Sequence, residues 1–319
     1  MGLRANMFAA AILTLLAEVI VVSLILLVTR LPLVDLIFIL GLFWLIQYLA
    51  GPMLIARNSR EIVVGDPTHG WLHDVVGELS QRAGISKPKV YISDERFPNA
   101  FAFGNPFKKG IAFTTPLLQI LTPDELKAVA GHELGHLKHR DVELGTTLGL
   151  IPNVLNWVGS SMIAVGSTWL GLIVTDFDIA LAFAILILGW IITILALFVN
   201  VFLLWFNRLR ESYADLHSLE LMGKEGVNLA TALAKIQVYM KNVRLDPFRG
   251  MVVTVPPQKI KSTNPDDLLR EWLREKPKPW SDILLSHPHP ARRIRMIVEQ
   301  AGTPTLSNTP TTSQTPNPQ

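Results

Sequence analysis

Four stretches of the chain are longer and more apolar than the buried faces of soluble helices. Met7–Val28 holds 22 residues with one charge, Glu18, and Leu36–Ile55 holds 20 with none. Residues 148–174 and 179–206 hold 27 and 28, both uncharged. A helix crossing about 30 Å of hydrocarbon needs about 20 apolar residues. The pattern therefore predicts four transmembrane helices, over about 7–28, 33–55, 148–174 and 179–206. The third run is diluted by Pro152, Asn153, Asn156, Ser160 and Ser161, and is expected to tilt or to pack on its neighbour through small residues. The first run is too long for a signal peptide and lacks a small-x-small exit before Thr29-Arg30-Leu31-Pro32, so it reads as an uncleaved anchor. Asn6 stands where myristoylation of Gly2 needs Ser or Thr.

Two polar segments, 56–147 and 207–301, lie between and after the spans. From 302 to 319 the chain is dominated by Pro, Thr, Ser, Asn and Gln with nothing to bury, and it is expected to be a disordered tail. In the first polar segment a helix is expected from Pro67, turning at Gly84. Strands are expected over 89–92, 100–103 and 110–114, with Gly104-Asn105-Pro106 turning between the last two. The second segment reads as helix through Met222, helix over Asn228–Met240, irregular chain over 244–265 and a short amphipathic helix over Asp266–Arg274. No internal repeat is visible. The expected architecture is an α-helical integral membrane protein with four transmembrane helices and a mostly α-helical polar domain containing a small β-sheet.

Composition localises the apolar excess. The 319 residues are 50% hydrophobic and 17% charged, with mean hydropathy +0.35, against roughly 25% charged in an average soluble domain. The four runs hold 97 residues and leave 222 outside them. Zero cysteines exclude disulfides, a cysteine nucleophile and Cys-ligated zinc or iron–sulfur sites. The net charge of +3 comes without a Lys/Arg run or an RNA-binding motif, so it points to anionic lipid and not to nucleic acid. Basic flanks set the orientation. Arg4 precedes the first span, Arg57 and Arg60 follow the second, Lys138 and Arg140 precede the third, and Arg208 and Arg210 follow the fourth. The intervening short turns hold only Arg30 with Asp35, and Asp176 with Asp178. The positive-inside rule places both termini and both polar segments in the cytoplasm of a multi-pass plasma-membrane protein.

Thr122-Pro123-Asp124-Glu125 is a helix start, with Thr122 as cap, Pro123 at the first helical position and Glu125 closing a capping box. Ten residues on stands His132-Glu133-Leu134-Gly135-His136. Histidines at i and i+4 share one helical face, so their imidazoles can hold one tetrahedral zinc ion. Glu133 sits beside them, where it can take a proton from a water at the metal. A catalytic site needs a third protein ligand, and Glu211 offers one, with Asp215 one turn further able to hold a histidine ring. This is the thermolysin-like order, and the two segments flank the third and fourth spans. Taken alone, Glu211 and Asp215 also read as a solvated charge cluster with Arg208 and Arg210.

Four stretches carry a family resemblance: PKVYISDERFPNAFAFG over 88–104, ELKAVAGHELGHLKHRD over 125–141, RESYADLHSLEL over 210–221 and SHPHPARRI over 286–294. Together they resemble the HtpX family of membrane zinc metalloproteases, related to the CAAX prenyl proteases. The resemblance implies a zincin (gluzincin-like) domain with one Zn2+ per subunit on His132, His136 and Glu211, and Glu133 as catalytic base. It also implies unfolded or membrane-protein substrates in membrane quality control. His287 is the candidate donor to the tetrahedral oxyanion, with Arg293 as its structural or electrostatic partner. Asn99, Ala100, Phe101 and Ala102 are the candidate strand on which substrate main chain pairs. Alternative readings are a CAAX-type prenyl protease and a non-catalytic, zinc-stabilised membrane scaffold.

Helix rise places Glu211 about 8 Å past Phe206 and His136 about 18 Å before Leu148, if both helices run unbroken. The site then stands just above the membrane surface. His69 and His73 share i, i+4 spacing but no glutamate follows His69, so an ordinary amphipathic helix is expected there. His139 is expected among lipid headgroups. Glu18, mid-span, is expected to face the helix bundle.

Overall fold

The computed structural model describes residues 2–57, 59–105, 107–172, 176–241, 243, 257, 260–278 and 280–302. The predicted tail beyond 302, Pro106 and most of the irregular stretch over 244–265 lie outside the described residues. Two long helices come first, α1 (Leu3–Thr29) and α2 (Leu33–Arg57), separated at Arg30, whose φ of 54° ends the first. The first polar segment follows with β1 (Ser59–Glu61), α3 (Gly70–Ala83), β2 (Lys89–Ser93), β3 (Ala100–Asn105), β4 (Lys108–Thr114), α4 (Thr115–Ile120) and α5 (Pro123–Lys138). Next stand α6 (Asp141–Leu148), α7 (Leu150–Leu170) and α8 (Asp176–Met222). A 3-10 turn over Gly223–Val227 leads to α9 (Asn228–Met240), α10 (Pro265–Arg274) and α11 (Pro290–Gly302).

The third apolar run does not continue the helix before it: α6, which precedes the run, and α7, which carries it, meet at Gly149 and bend by 45°. Pro152, at the start of α7, has no N–H to continue the ladder across that point. Among the described residues three helical stretches are long and apolar enough to cross a membrane, those of α1, α2 and α8, or four if α6 and α7 form one span. Small residues do seat α7 on α8: a Cβ on Gly159 would lie 3.0 Å from the carbonyl of Gly189. Close backbone approach of this kind is how apolar helices pack where no hydrophobic contrast drives them together. Glu18 is buried in this bundle, beside Ala17 and Val21, which pack with Leu155, Ala196 and Val199.

The sheet runs β1-β2-β4-β3, with β2 and β4 parallel and the other neighbours antiparallel. Near the end of β3, Gly104 pairs with Lys109 of β4 and adopts φ 142°. A side chain there would collide with the Lys108 carbonyl at 2.2 Å, so glycine is required. This leaves β3 as the terminal strand, next to α5. Helix α3 begins at Gly70 and not at Pro67, because Asp66 Oδ1 accepts from the N–H groups of Thr68 and His69 and holds them in a turn. β1, α4 and α11 were not expected from the sequence. Both polar segments share one core: Val90, Ile111, Phe113, Leu126 and Val129 of the first pack with Leu233, Ile236 and Ile294 of the second.

Candidate metal centre

Helix α5 starts at the predicted capping box. Thr122 Oγ1 accepts from Glu125 N at 3.4 Å, and Glu125 Oε2 accepts from Thr122 N at 2.8 Å. Lys235 of α9 also donates to Glu125 Oε2 at 2.8 Å, fixing the helix start against the core. From Glu125 to Leu137 all residues but Lys127 are buried, which is possible because α8 lies against α5 through small residues. A Cβ on Gly131 would meet Ser218 Oγ at 3.0 Å, and one on Gly135 would meet Ala214 Cα at 3.2 Å. Ser218 Oγ donates to the Ala128 carbonyl at 2.7 Å across the same contact. This close crossing carries Glu211 of α8 to the histidines.

His132 Nε2 and His136 Nε2 stand 3.2 Å apart. Glu211 Oε2 is 3.6 Å from the first and Glu211 Oε1 is 3.5 Å from the second. Ligand atoms 2.0–2.1 Å from a tetrahedral ion are about 3.3–3.4 Å from one another; the two imidazole nitrogens are close to that separation, and the Glu211 carboxylate faces them with one oxygen toward each. The other ring nitrogen of each histidine faces a carboxylate. His132 Nδ1 lies 2.9 Å from Asp215 Oδ1, and His136 Nδ1 lies 2.8 Å from Asp141 Oδ2. A carboxylate on that nitrogen draws the ring proton there and leaves Nε2 with a lone pair for a cation. The donor set, two imidazoles and a carboxylate, thus fits a metal ion in chemistry and spacing.

The surrounding charges are buried and matched. Arg293 of α11 donates to Asp215 through Nε at 2.9 Å and Nη2 at 2.7 Å, and its Nη1 is 3.7 Å from Glu211 Oε2. Asp215 and Arg293 are 0% and 2% exposed, so each charge depends on the other. Burial opposes ionisation of Asp215, but the Arg293 guanidinium and His132 outweigh it and lower its pKa. Burial likewise opposes the ionised Glu211, yet His287, His136, His132 and Arg293 hold its pKa well below the carboxylate range. For His132 burial is outweighed by Asp215 and Glu211, which raise its pKa to about 9. A site that favours positive charge on an imidazole is one whose carboxylates favour a cation between them.

Glu133 points to the sheet: its Oε2 accepts from the N–H of Ala102 on the terminal strand β3, at 2.7 Å. His287 is 6% exposed, with Nε2 3.7 Å from Glu211 Oε1 and Nδ1 2.8 Å from Ser286 Oγ. Burial lowers its pKa to about 4.

Seven residues singled out from the sequence therefore converge: His132, Glu133, His136, Glu211, Asp215, His287 and Arg293. Arg293 meets Asp215 and Glu211 because its fork of donors matches carboxylates. Of the candidate substrate strand, Ala102 reaches Glu133 directly. Asn99 is buried and its carbonyl accepts from Thr114 N, while Phe101 packs on Phe103 with ring centroids 6.1 Å apart. His69 and His73 stand apart from the centre, against Arg60 and Lys87. The His139 ring lies 4.2 Å from that of Tyr213 and 5.1 Å from that of His217. Tyr213 is engaged from its other side by Arg4, whose Nε donates to the phenol oxygen at 2.6 Å.

The α5 helix ends before Asp141, with Arg140 at φ 58°, so the 18 Å estimate for His136 does not hold. That break hid Asp141. Helical spacing does not extend past a turn, and the only available signal was a carboxylate soon after the second histidine. Arg210 was also missed as a support: its Nη1 donates to the Asp141 carbonyl at 3.3 Å, and its Nη2 is 3.7 Å from Glu211.

Comparison with known proteins gives a consistent set of similarities. The pattern of peptidase family M48 matches residues 67–301. Protease HtpX homolog 1 of Sulfurisphaera tokodaii is 51% identical over 247 residues, covering 77% of this chain and 79% of that protein. Protease HtpX homolog 1 of Sulfolobus acidocaldarius is 44% identical over 298 residues, covering 92% and 96%. Among solved structures, that of S. mikatae Ste24p aligns at a TM-score of 0.49 with 18% identity, over 91% of this chain and 66% of that one.

Proposed function

The chain belongs to peptidase family M48 and is a membrane metalloprotease, and from that premise we propose that it is a zinc endopeptidase acting on misfolded or damaged membrane proteins at the cytoplasmic face. In this reading His132, His136 and Glu211 hold the ion. The observation that carries it is the convergence of two imidazole nitrogens 3.2 Å apart with the two Glu211 oxygens, each 3.5–3.6 Å from one of them, and a carboxylate behind each ring. Two imidazoles and one carboxylate suit zinc among the common divalent ions. When bound, zinc acts as a Lewis acid that polarises the scissile carbonyl and lowers the pKa of a coordinated water towards about 7.

The residues of the chain do the rest. Glu133 takes the proton from the attacking water and passes it to the leaving amine. The Ala102 N–H fixes one oxygen of that carboxylate and leaves the other for the proton. Substrate main chain lies along β3 at Asn99, Ala100, Phe101 and Ala102, read by its backbone and hence with loose sequence preference. His287 donates to the oxyanion that forms as the carbonyl becomes tetrahedral. Arg293 and Asp215 position Glu211 and His132. The basic flanks of the four expected spans support a cytoplasmic site.

The test is Glu133→Gln in purified full-length protein. Zinc content is expected to stay at the wild-type level while cleavage of an unfolded protein is lost. Cleavage that survives both this change and chelation sinks the reading, and stripping followed by add-back of single metals identifies the ion.

A further inference from the structure

Arg208 stands two residues past Phe206, at the polar end of the uncharged run in α8. Its Nη1 reaches the carbonyls of Asp282, Ile283 and Leu285, each at 2.9 Å. From α11, Arg292 donates to the carbonyl of Lys278 and, at 3.4 Å, to that of Pro277. The Asp282 carboxylate accepts from His289 N at 3.0 Å. The connection between α10 and α11 is thus tied down by its own carbonyls, level with the end of the membrane helix.

Those ties hold apolar side chains outward. Trp280, Ile283 and Leu284 are 72%, 46% and 63% exposed. Adjacent exposed apolar residues on a fastened loop mark an interaction surface. Behind the loop is a cavity of about 520 Å3. Its lower wall is Val201, Phe202 and Trp205 of α8, and its upper wall includes Arg208, Arg292 and Asp282. Polarity therefore changes from hydrocarbon to cation along the helix direction, as it does along a phospholipid. From Arg274 to Arg295 the chain carries six Lys and Arg against two acids, Glu275 and Asp282; with Arg293 balanced by Asp215 the excess is three, as large as the net charge of the whole chain. Trp at the boundary with flanking basic residues is the composition of a membrane interface.

We propose that the α10–α11 loop is a membrane-docking element: Trp280, Ile283 and Leu284 enter the interfacial layer, and the cavity behind them takes the headgroup of an anionic phospholipid. The loop continues directly into Ser286 and His287, so the leaflet seats one wall of the metal centre. The loop comes from the C-terminal polar segment, and the cavity behind it is shared with the end of the fourth span.

The chain has no cysteine, so Leu284→Cys gives a single position for an environment-sensitive fluorophore. The full chain is reconstituted in bilayer discs of neutral lipid doped with anionic phospholipid. The label is expected to emit as in an apolar medium and to be quenched by lipids carrying a nitroxide near the headgroup. A reference label at Glu220→Cys, about 20 Å further along α8, is expected to respond only to an aqueous quencher. A residue 284 label that behaves like the residue 220 label overturns the docking. Native mass spectrometry then counts retained anionic lipid. Arg292→Gln is expected to lower retention about fivefold, the effect of about 1 kcal/mol per basic residue near an anionic surface. Lys278→Gln, whose exposed side chain is apart from the loop's ties, is expected to act in the same direction. Retention unchanged in both variants, or displacement of the lipid by inorganic phosphate alone, overturns the headgroup site.

Discussion

Asp141 and Asp215 perform the same task from different directions, each holding the rear nitrogen of one histidine so that both Nε2 atoms face Glu211. Their consequences on substitution differ, because their other partners differ. Asp141→Asn keeps the shape but loses the charge that polarises His136, and metal affinity is expected to fall about 10- to 100-fold, as read by competition with a chromogenic chelator. Asp215→Asn also removes the charge opposite the buried Arg293 guanidinium. Breaking a buried pair costs about 3–5 kcal/mol, so this variant is expected to lose thermal stability even without metal, whereas Asp141→Asn is not. An equal loss of melting temperature in both would show that Arg293 finds its charge balance at Glu211. His132, Glu133 and His136 were legible because an i, i+4 pair has meaning within any one helix. Glu211 and Asp215 needed the order of the two segments as well. Asp141 was illegible because the left-handed turn at Arg140 places it by geometry that no spacing rule describes.

Helix α5 is held against α8 by what its glycines lack. Gly135, between the two histidines, faces Ala214 Cα and His217 Cβ, both 3.2 Å from where its own Cβ would stand. These atoms belong to backbone or to the base of the buried His217 side chain and cannot yield freely. Gly135→Ala gains about 1 kcal/mol of helix propensity but meets overpacking of about 1–3 kcal/mol, and the few tenths of an ångström it demands open the ligand triangle. Lower metal affinity with a nearly unchanged melting temperature is expected. Gly77→Ala in α3 provides the contrast, since its new Cβ meets only the end of the Lys87 side chain at 3.0 Å, which can swing away. That variant is expected to raise the melting temperature and leave metal affinity untouched. Elements with internal signals were read best, such as α5 from its capping box; β3 and β4 were placed, but Gly104 and Asn105, expected in their turn, belong to the strand ladder. The three-residue strand β1 has too few positions for a period, and the break at Gly149 was masked by apolar residues on both sides.

At the scale of the whole molecule, α8 is a single helix of 47 residues that is apolar enough to cross a membrane at one end and carries the candidate metal ligand Glu211 at the other. Its apolar part packs on α1 and α7, and from Glu211 onward it packs on α5. The relation between the bilayer and the active centre is then fixed by helical register. Composition showed that the chain sits in a membrane, but not this continuity, because a charged cluster after a span reads equally as the start of a loop. Insertion of one alanine between Asn207 and Arg208 tests it. One added residue rotates everything beyond it by about 100° and advances it about 1.5 Å. Either the span or the ligand must leave its packing, and the span has the larger apolar surface to lose. The variant is therefore expected to insert into membranes at wild-type levels yet lose metal occupancy and cleavage together. The same alanine placed between Leu172 and Asp176, ahead of α8, leaves the register of α8 with α5 intact and is expected to retain both. Metal content per membrane-inserted chain, measured for the two insertions side by side, decides the matter. Full occupancy in the first would mean that the helix deforms near Arg208 and that α5 alone positions Glu211.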